Sequence, residues 1–180
     1  MLMTKRLYLR AWQAQDFTAL HTLDTDPEVQ RYRNDTVIAE EQTRAYLDWV
    51  TALAHDSERT HYPFAVVLSS SDQVIGACFL QVMNGAPREA EVAYSLQRCL
   101  WNQGYTTEAA QAVVGYGFDT LHLHRIWAKC IAENIGSWRV MEKIGMRREG
   151  HLRENRWLHG QWWDTLLYAV LDHEWYQLHH

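Results

Sequence analysis

Two β-branched, apolar runs, "YPFAVVL" (62–68) and "VIGACFLQV" (74–82), are separated only by the polar stretch "SSSDQ". Runs of this kind form strands, and a short polar turn between them folds them back as an antiparallel hairpin. The hairpin divides the chain. Ahead of it, "RLYLRAW" alternates Leu7 and Leu9 against Arg6, Tyr8 and Arg10, the period of a strand with one buried face. Helical signals follow: Asp16 as a cap for a helix carrying Phe17, Leu20 and Leu23, Pro27 opening a short second helix, and Tyr46, Leu47, Val50, Leu53 and Ala54 at helical spacing between Glu40 and about His55. Behind the hairpin, "AEVAYSL" (90–96) reads as a strand, and "WNQGYTTEAA" (101–110) as a turn entering a helix that runs to about Asp119. "HRIWAKCI" (124–131) is then a strand and "SWRVMEKIG" (137–145) a helix ended by Gly145. "RREGHLREN" and "WWDTLLYAVL" give two last strands around a loop with Gly160. With no repeat or linker, this order predicts an α/β (α+β layered) architecture, a mixed sheet with helices on both faces. At 180 residues, 47% hydrophobic and 22% charged, the chain is expected to be one domain, 1–180, around a real core.

The net charge of −5 and pI near 6.0 argue against a protein that coats nucleic acid, which needs clustered Lys and Arg, and suit a cationic small substrate. Cys78, Cys99 and Cys130 are odd in number, lack CxxC spacing and mostly sit in apolar runs, so they are expected to be buried thiols in a reducing, cytoplasmic compartment. "MLMTKRLYLRAW" has no apolar stretch of signal-peptide or membrane-span length and none appears later, so a soluble protein with no membrane partner is expected. Most of the Trp and Tyr residues are expected as core or pocket wall. The histidines show no HExxH pair, and "LHLHR" (121–125) would put two on one side of an extended segment with no third ligand, so no metal site is expected. His179 and His180 have the pattern of a tag remnant and carry no functional weight.

The turn before the alanine-rich helix is the first candidate site. Amides that open a helix have no partner within it and sit at the positive end of its dipole, so such a turn can hold an anion, for example a diphosphate. Gly104 lets the backbone approach closely, while Thr106 and Thr107 add hydroxyl donors or cap the helix. The absence of GxxxxGK[ST] argues against a nucleoside triphosphatase, and one glycine is too few for the dinucleotide fingerprint GxGxxG. By spacing alone, an ordinary capped loop is the simpler reading.

The order from "AEVAYSL" through "WNQGYTTEAA", "HRIWAKCIAENIGSWRVMEKIGMRREG" and "WLHGQWWDTLLYAVL" resembles the GNAT acyltransferase superfamily, specifically its RimJ/RimL-like branch, over nearly the whole chain. The most specific parts are Gly104-Tyr105-Thr106-Thr107-Glu108-Ala109 and the run Asn134…Ser137…Arg139…Glu142-Lys143…Gly145; "RLYLRAW" and "DPEVQRY" resemble the N-terminal region. The superfamily's turn pattern, Gln or Arg, two residues, Gly, one residue, then Gly or Ala, is met imperfectly, with Trp101 at its first position and Thr106 at its last. That departure leaves diphosphate contacts more to backbone than to side chains.

The resemblance implies a GNAT-like mixed, mostly antiparallel central sheet of about seven strands with two central strands splayed apart. It also implies transfer of acetyl from acetyl-coenzyme A (acetyl-CoA) to a primary amine, either a protein N-terminal α-amine or that of a small molecule. Val92, Ala93, Tyr94, Ser95 and Leu96 would diverge from the strand 127–131 and leave main-chain groups for the pantetheine arm, with an amide of Val92, Ala93 or Tyr94 facing the thioester oxygen. Gln103, Gly104, Tyr105, Thr106 and Thr107 would hold the diphosphate, and Asn134 the pantetheine. Ser137 is the candidate proton donor to the thiolate or, alternatively, the N-cap of its helix. Glu91, ahead of Glu89, is the candidate base, taking a proton directly or through water, or holding the ammonium by charge. Tyr94 either walls the thioester or packs in the core, and Arg139 and Lys143 either meet a phosphate or form a solvated face. Tyr32, Arg33 and Trp157, with His159 and Trp162, are expected to flank the acceptor. A homodimer is among the expected states. The competing function is a non-catalytic acyl-CoA sensor of the same fold.

Overall fold

The period-two segments all become strands of one sheet in the computed structural model, which describes residues 1–33, 38–54, 56, 58–85 and 88–179. The expected helix end near His55, Ala86 and Pro87 of the loop after the hairpin, and His180 lie outside the described residues. The strands are β1 (Leu2–Met3), β2 (Leu7–Arg10), β3 (His61–Leu68), β4 (Val74–Val82), β5 (Glu89–Leu96), β6 (Arg125–Ile131), β7 (Arg147–Leu158) and β8 (Gln161–Leu171). They form an eight-stranded sheet in the order β1-β2-β3-β4-β5-β6-β8-β7, antiparallel throughout except for β5–β6. The strand beyond the expected number is β1, whose two residues are too few to leave a period in the sequence.

A parallel pair needs a crossover, and the helix α4 (Tyr105–Asp119) supplies it. Its Ala109, Ala110, Val113, Val114 and Phe118 pack on Leu9, Val66, Leu80, Val92 and Ile126, together with Met141 and Trp175 from the helices α5 (Ile135–Lys143) and α6 (Asp172–His179). The opposite face is covered by α1 (Phe17–Thr25) and α3 (Glu40–Leu53), whose Leu20, Leu47 and Val50 meet Trp12, Ala65, Val67 and Val74. Between them lies the short α2 (Pro27–Gln30), capped by the Asp26 carboxylate on the amides of Glu28 and Val29.

Several local expectations change. Asp16 stands at the start of α1 but its carboxylate makes no cap bond; it is buried, accepting from the Gln13 amide and pairing with Arg10 at 2.7 Å. Cys78 and Cys130 are buried, but Cys99 is exposed. His122 and His124 do not share an extended segment, because β6 begins only at Arg125 and His122 has φ +52°. The helix α6 escaped the sequence pattern because Trp175 is its one buried residue. His179 belongs to it, stacking on Trp175 at 3.9 Å and bonding the Trp175 carbonyl. Among the described residues no helix is long and apolar enough to cross a membrane.

Candidate active site

The parallel pair parts midway. β5 and β6 are in register only at Glu89–Arg125, Ala90–Ile126 and Glu91–Trp127, while β5 stays paired with β4 through Leu96 and β6 with β8 through Ile131. The bonds Gln97 N to Ile75 O and Met83 N to Glu89 O, both 2.9 Å, fix which peptide groups of β5 point to β4: those of the odd-numbered residues. The C=O of Val92 and both the N–H and C=O of Tyr94 therefore face the gap, while the Val92 N–H closes the last rung of the parallel pair on the Trp127 carbonyl. Ala93 and Ser95 are turned to β4, so their expected role as main-chain partners of a ligand is corrected; they offer side chains only. Leu96 turns its carbonyl to the gap side, where the Trp101 indole donates to it at 2.8 Å.

Tyr94 shares a face with the buried Val92 and Leu96, and its ring reaches from one lip of the gap to the helix following the other. Its hydroxyl donates to the Ser137 carbonyl at 2.8 Å and lies 3.3 Å from Ser137 Oγ. Burial pushes the Tyr94 phenol well above its usual range, only partly offset by the Ser137 hydrogen bond. The Cys130 thiol beside it is pushed up to about 11 by burial, against the Ser137 hydroxyl. Asn134, not Ser137, is the N-cap of α5, its Oδ1 accepting from the Ser137 amide at 3.2 Å. The capping alternative for Ser137 is thereby removed, and its hydroxyl stands among Tyr94, Cys130 and the gap.

At the far end, Gly104 is the N-cap of α4 with φ +82° and ψ 0°, a conformation that favours glycine. Among the described residues no side chain caps α4, so Thr106 and Thr107 do not take the capping role weighed for them, and the first amides of the helix are left open. Gln103 donates to the Cys99 carbonyl, and its own carbonyl accepts from Arg6 Nη1 at 3.0 Å. Arg6 Nε and backbone N, with Thr4 Oγ1, converge on the Glu108 carboxylate at 2.7 Å each. Burial would raise that carboxyl, but these hydrogen bonds and the Arg6 charge hold it below the usual range. The guanidinium also lies over the Tyr105 ring, 4.2 Å from its centroid.

At the point where the strands part, Glu91 Oε1 is 3.3 Å from Lys129 Nζ. Glu89 is held by Arg125 at 3.3 Å. Neither lysine nor arginine partner was legible locally, since each lies on the next strand of the sheet but tens of residues away in the chain. Arg139 is exposed, its guanidinium against the Trp138 ring.

Where Tyr32, Arg33 and Trp157 are expected to flank an acceptor, the structure joins the segment after α2 to the β7–β8 hairpin. The Arg33 carbonyl accepts from Arg156 Nη2 at 2.9 Å, His159 Nε2 meets the Arg31 carbonyl at 3.1 Å, and Tyr32 lies edge-on to Trp163 at 5.9 Å. Arg33 also approaches the Asp24 carboxylate, 3.9 Å away, whose pKa burial raises against the Arg33 and His21 charges. Trp157 is not part of this cluster: it packs on Trp162 at 5.2 Å, and both rings are more than half exposed. Trp163 is the tryptophan beside Tyr32. Tyr46, Trp49, His61 and Phe79 follow one another at 5.4 to 5.7 Å, ending at Phe79 opposite Ala93 of β5. A cavity of about 470 Å³ lies between Thr22, Leu23, Asp26 and Val29 and the segment Gln97–Cys99 that leaves β5.

A parallel strand pair that parts beside an open helix start is the arrangement that the resemblance to the GNAT acyltransferases implies. Residues 6–147 match the acetyltransferase (GNAT) domain, and the chain belongs to that family. It is 37% identical over 172 residues, 96% of this chain and 97% of the relative, to the uncharacterized N-acetyltransferase YnaD of Bacillus subtilis. Its fold is similar to that of a GNAT-family acetyltransferase from Bacillus anthracis, with a TM-score of 0.84 at 34% identity over 96% of this chain and 98% of that one. A likeness in fold alone, at 22% identity and a TM-score of 0.83 over 96% of this chain and 99% of that one, links it to a spermidine N-acetyltransferase from Vibrio cholerae solved in complex with CoA and spermine. Acetyl-CoA is the acyl donor of the family. The residues present fit it: open amides at a left-handed glycine suit the diphosphate, and the unbonded C=O of Val92 and N–H and C=O of Tyr94 suit an extended amide-bearing arm.

Proposed function

We propose that this protein is an N-acetyltransferase of the RimJ/RimL-like branch that moves the acetyl group of acetyl-CoA to a primary amine, a protein N-terminal α-amine or that of a small molecule, within one domain spanning residues 1–180. The observation that carries the reading is the parted β5–β6 pair, with Glu91 where the strands separate and the Gly104 turn beyond the far end of β5. Acetyl-CoA supplies a thioester already activated toward amines. The chain binds and orients it: the Gln103–Thr107 turn holds the diphosphate, and the Val92 carbonyl and the main chain of Tyr94 with Asn134 hold the pantetheine, the Tyr94 amide serving as donor to the thioester oxygen. Glu91 exchanges Lys129 for the incoming amine and takes its proton, directly or through water. Ser137 Oγ, held by Tyr94, gives a proton to the departing sulfur. An α-amine, with a pKa of about 7.7 to 8.0, is partly neutral near pH 7 and needs less help than a lysine near 10.4. Tyr32 and Arg33 border the acceptor, with Trp157 at its outer rim.

The free thiols Cys78, Cys99 and Cys130 support a reducing, cytoplasmic setting. The exposed Leu152, Trp157 and Trp162 on β7–β8 support a homodimer. A thiol-release assay over a panel of small amines and peptides tests the function: acceptor-dependent release is expected. One observation favours the second reading, an acyl-CoA sensor, since Lys129 already satisfies Glu91. Tight acetyl-CoA binding without release on any acceptor would establish the sensor instead.

A further inference from the structure

We infer that Arg6, from the strand edge at the start of the sheet, is a coenzyme-binding residue that supplies the positive charge of the diphosphate site. The inference rests on reading the Gly104 turn as that site. Two of its guanidinium nitrogens are fixed: Nε on Glu108 at 2.7 Å and Nη1 on the Gln103 carbonyl at 3.0 Å. The plane is further held against the Tyr105 ring. Among the described residues Nη2 makes no hydrogen bond, and it is the atom directed at the glycine: a Cβ built on Gly104 would lie 3.4 Å from it. A planar cation already immobilised on three sides loses little entropy when an anion arrives, and its remaining N–H groups match phosphate oxygens. The turn itself lacks such a group, because the Trp101 indole is taken by the Leu96 carbonyl and the Gln103 carboxamide by Cys99. Glu108 sits behind the guanidinium and anchors it; the Arg6 side chain is 40% exposed against 17% for Glu108.

A purely structural clamp would have the same contacts, so the test must separate charge delivery from neutralisation of Glu108. Calorimetric titration with coenzyme A and with dephospho-coenzyme A is run on the wild type, R6Q, R6K, E108Q, the double variant R6Q/E108Q and G104V, each first shown folded by thermal denaturation. R6Q is expected to weaken both ligands by about tenfold, the loss of one charge-assisted contact, and to flatten the salt dependence of binding. R6Q/E108Q is expected to stay as weak as R6Q, R6K to lie between it and the wild type, and E108Q alone to keep its affinity. Recovery of wild-type affinity in the double variant would overturn the inference, showing that Arg6 only neutralises Glu108. A loss seen with coenzyme A but not with dephospho-coenzyme A would overturn the diphosphate assignment in favour of the ribose phosphate. If G104V weakens binding while R6Q does not, Arg6 is rejected and the turn stands; if G104V binds normally, the turn falls and the inference with it.

Discussion

The two halves of the cleft are built from different material. The half proposed for the coenzyme, from Glu91 through the Gly104 turn to Ser137, is made mainly of peptide groups and helix ends. The acceptor half is made of side chains from α1, α2, α3 and the β7–β8 hairpin, joined by contacts such as Arg156 to Arg33 across the chain. Backbone geometry tolerates changes in side chain, so the first half suits one invariant ligand; a surface of side chains is free to vary, so under the proposed function the choice of amine falls to the second.

That contrast can be broken by substitution. Ser137→Ala, on the coenzyme half, is expected to lower turnover by about a hundredfold while leaving coenzyme affinity nearly unchanged, as measured by steady-state kinetics and calorimetry side by side. Equal turnover would give the proton to water or another group. Gly104→Val should weaken coenzyme binding by about tenfold or more, since a β-branched residue resists φ +82° and crowds Arg6. On the acceptor half, Trp163→Ala is expected to raise the acceptor KM severalfold with coenzyme affinity intact, and Trp157→Ala to do so less; the reverse order would restore Trp157 to the site. The smallest effect concerns neither half. Burial raises Cys78 to about 12 and Cys130 to about 11, so the folded thiols stay neutral where unfolded ones ionise. Their contribution to stability is complete below about pH 8.5 and is lost as pH rises toward those values, by up to about 1 kcal/mol per pH unit for each thiol. Urea titrations at pH 8 and pH 10 should show the decline, and Cys78→Ala should flatten it.

The same contrast explains what could be read in advance. The hairpin, the Gly104 turn and the Asn134–Ser137 run were legible because strand alternation, helix starts and caps are written in adjacent residues. Which peptide groups of β5 are free was not: "AEVAYSL" alternates evenly, and only pairing with β4 on one side and the early end of pairing with β6 on the other singles out the Val92 carbonyl and the Tyr94 peptide. Arg6 lies 97 residues from Gln103, and Lys129 reaches Glu91 only through the parallel register of β5 and β6. Trp157 and Trp163 are one strand turn apart in pattern, and it is the hairpin register, Trp157 opposite Trp162, that sends them to different places. Such choices are made by tertiary pairing, which a local pattern does not encode.

The central claim is that the unbonded edge of β5 receives the coenzyme as a further strand would be received. Amide hydrogen exchange followed by NMR, with and without acetyl-CoA, tests it at single residues. The N–H of Tyr94 should exchange rapidly in the free protein and slow strongly when the coenzyme is added, while those of Val92, bonded to Trp127, and of Ala93 and Ser95, bonded to β4, stay slow in both. Unchanged exchange at Tyr94 under saturating coenzyme would contradict the account.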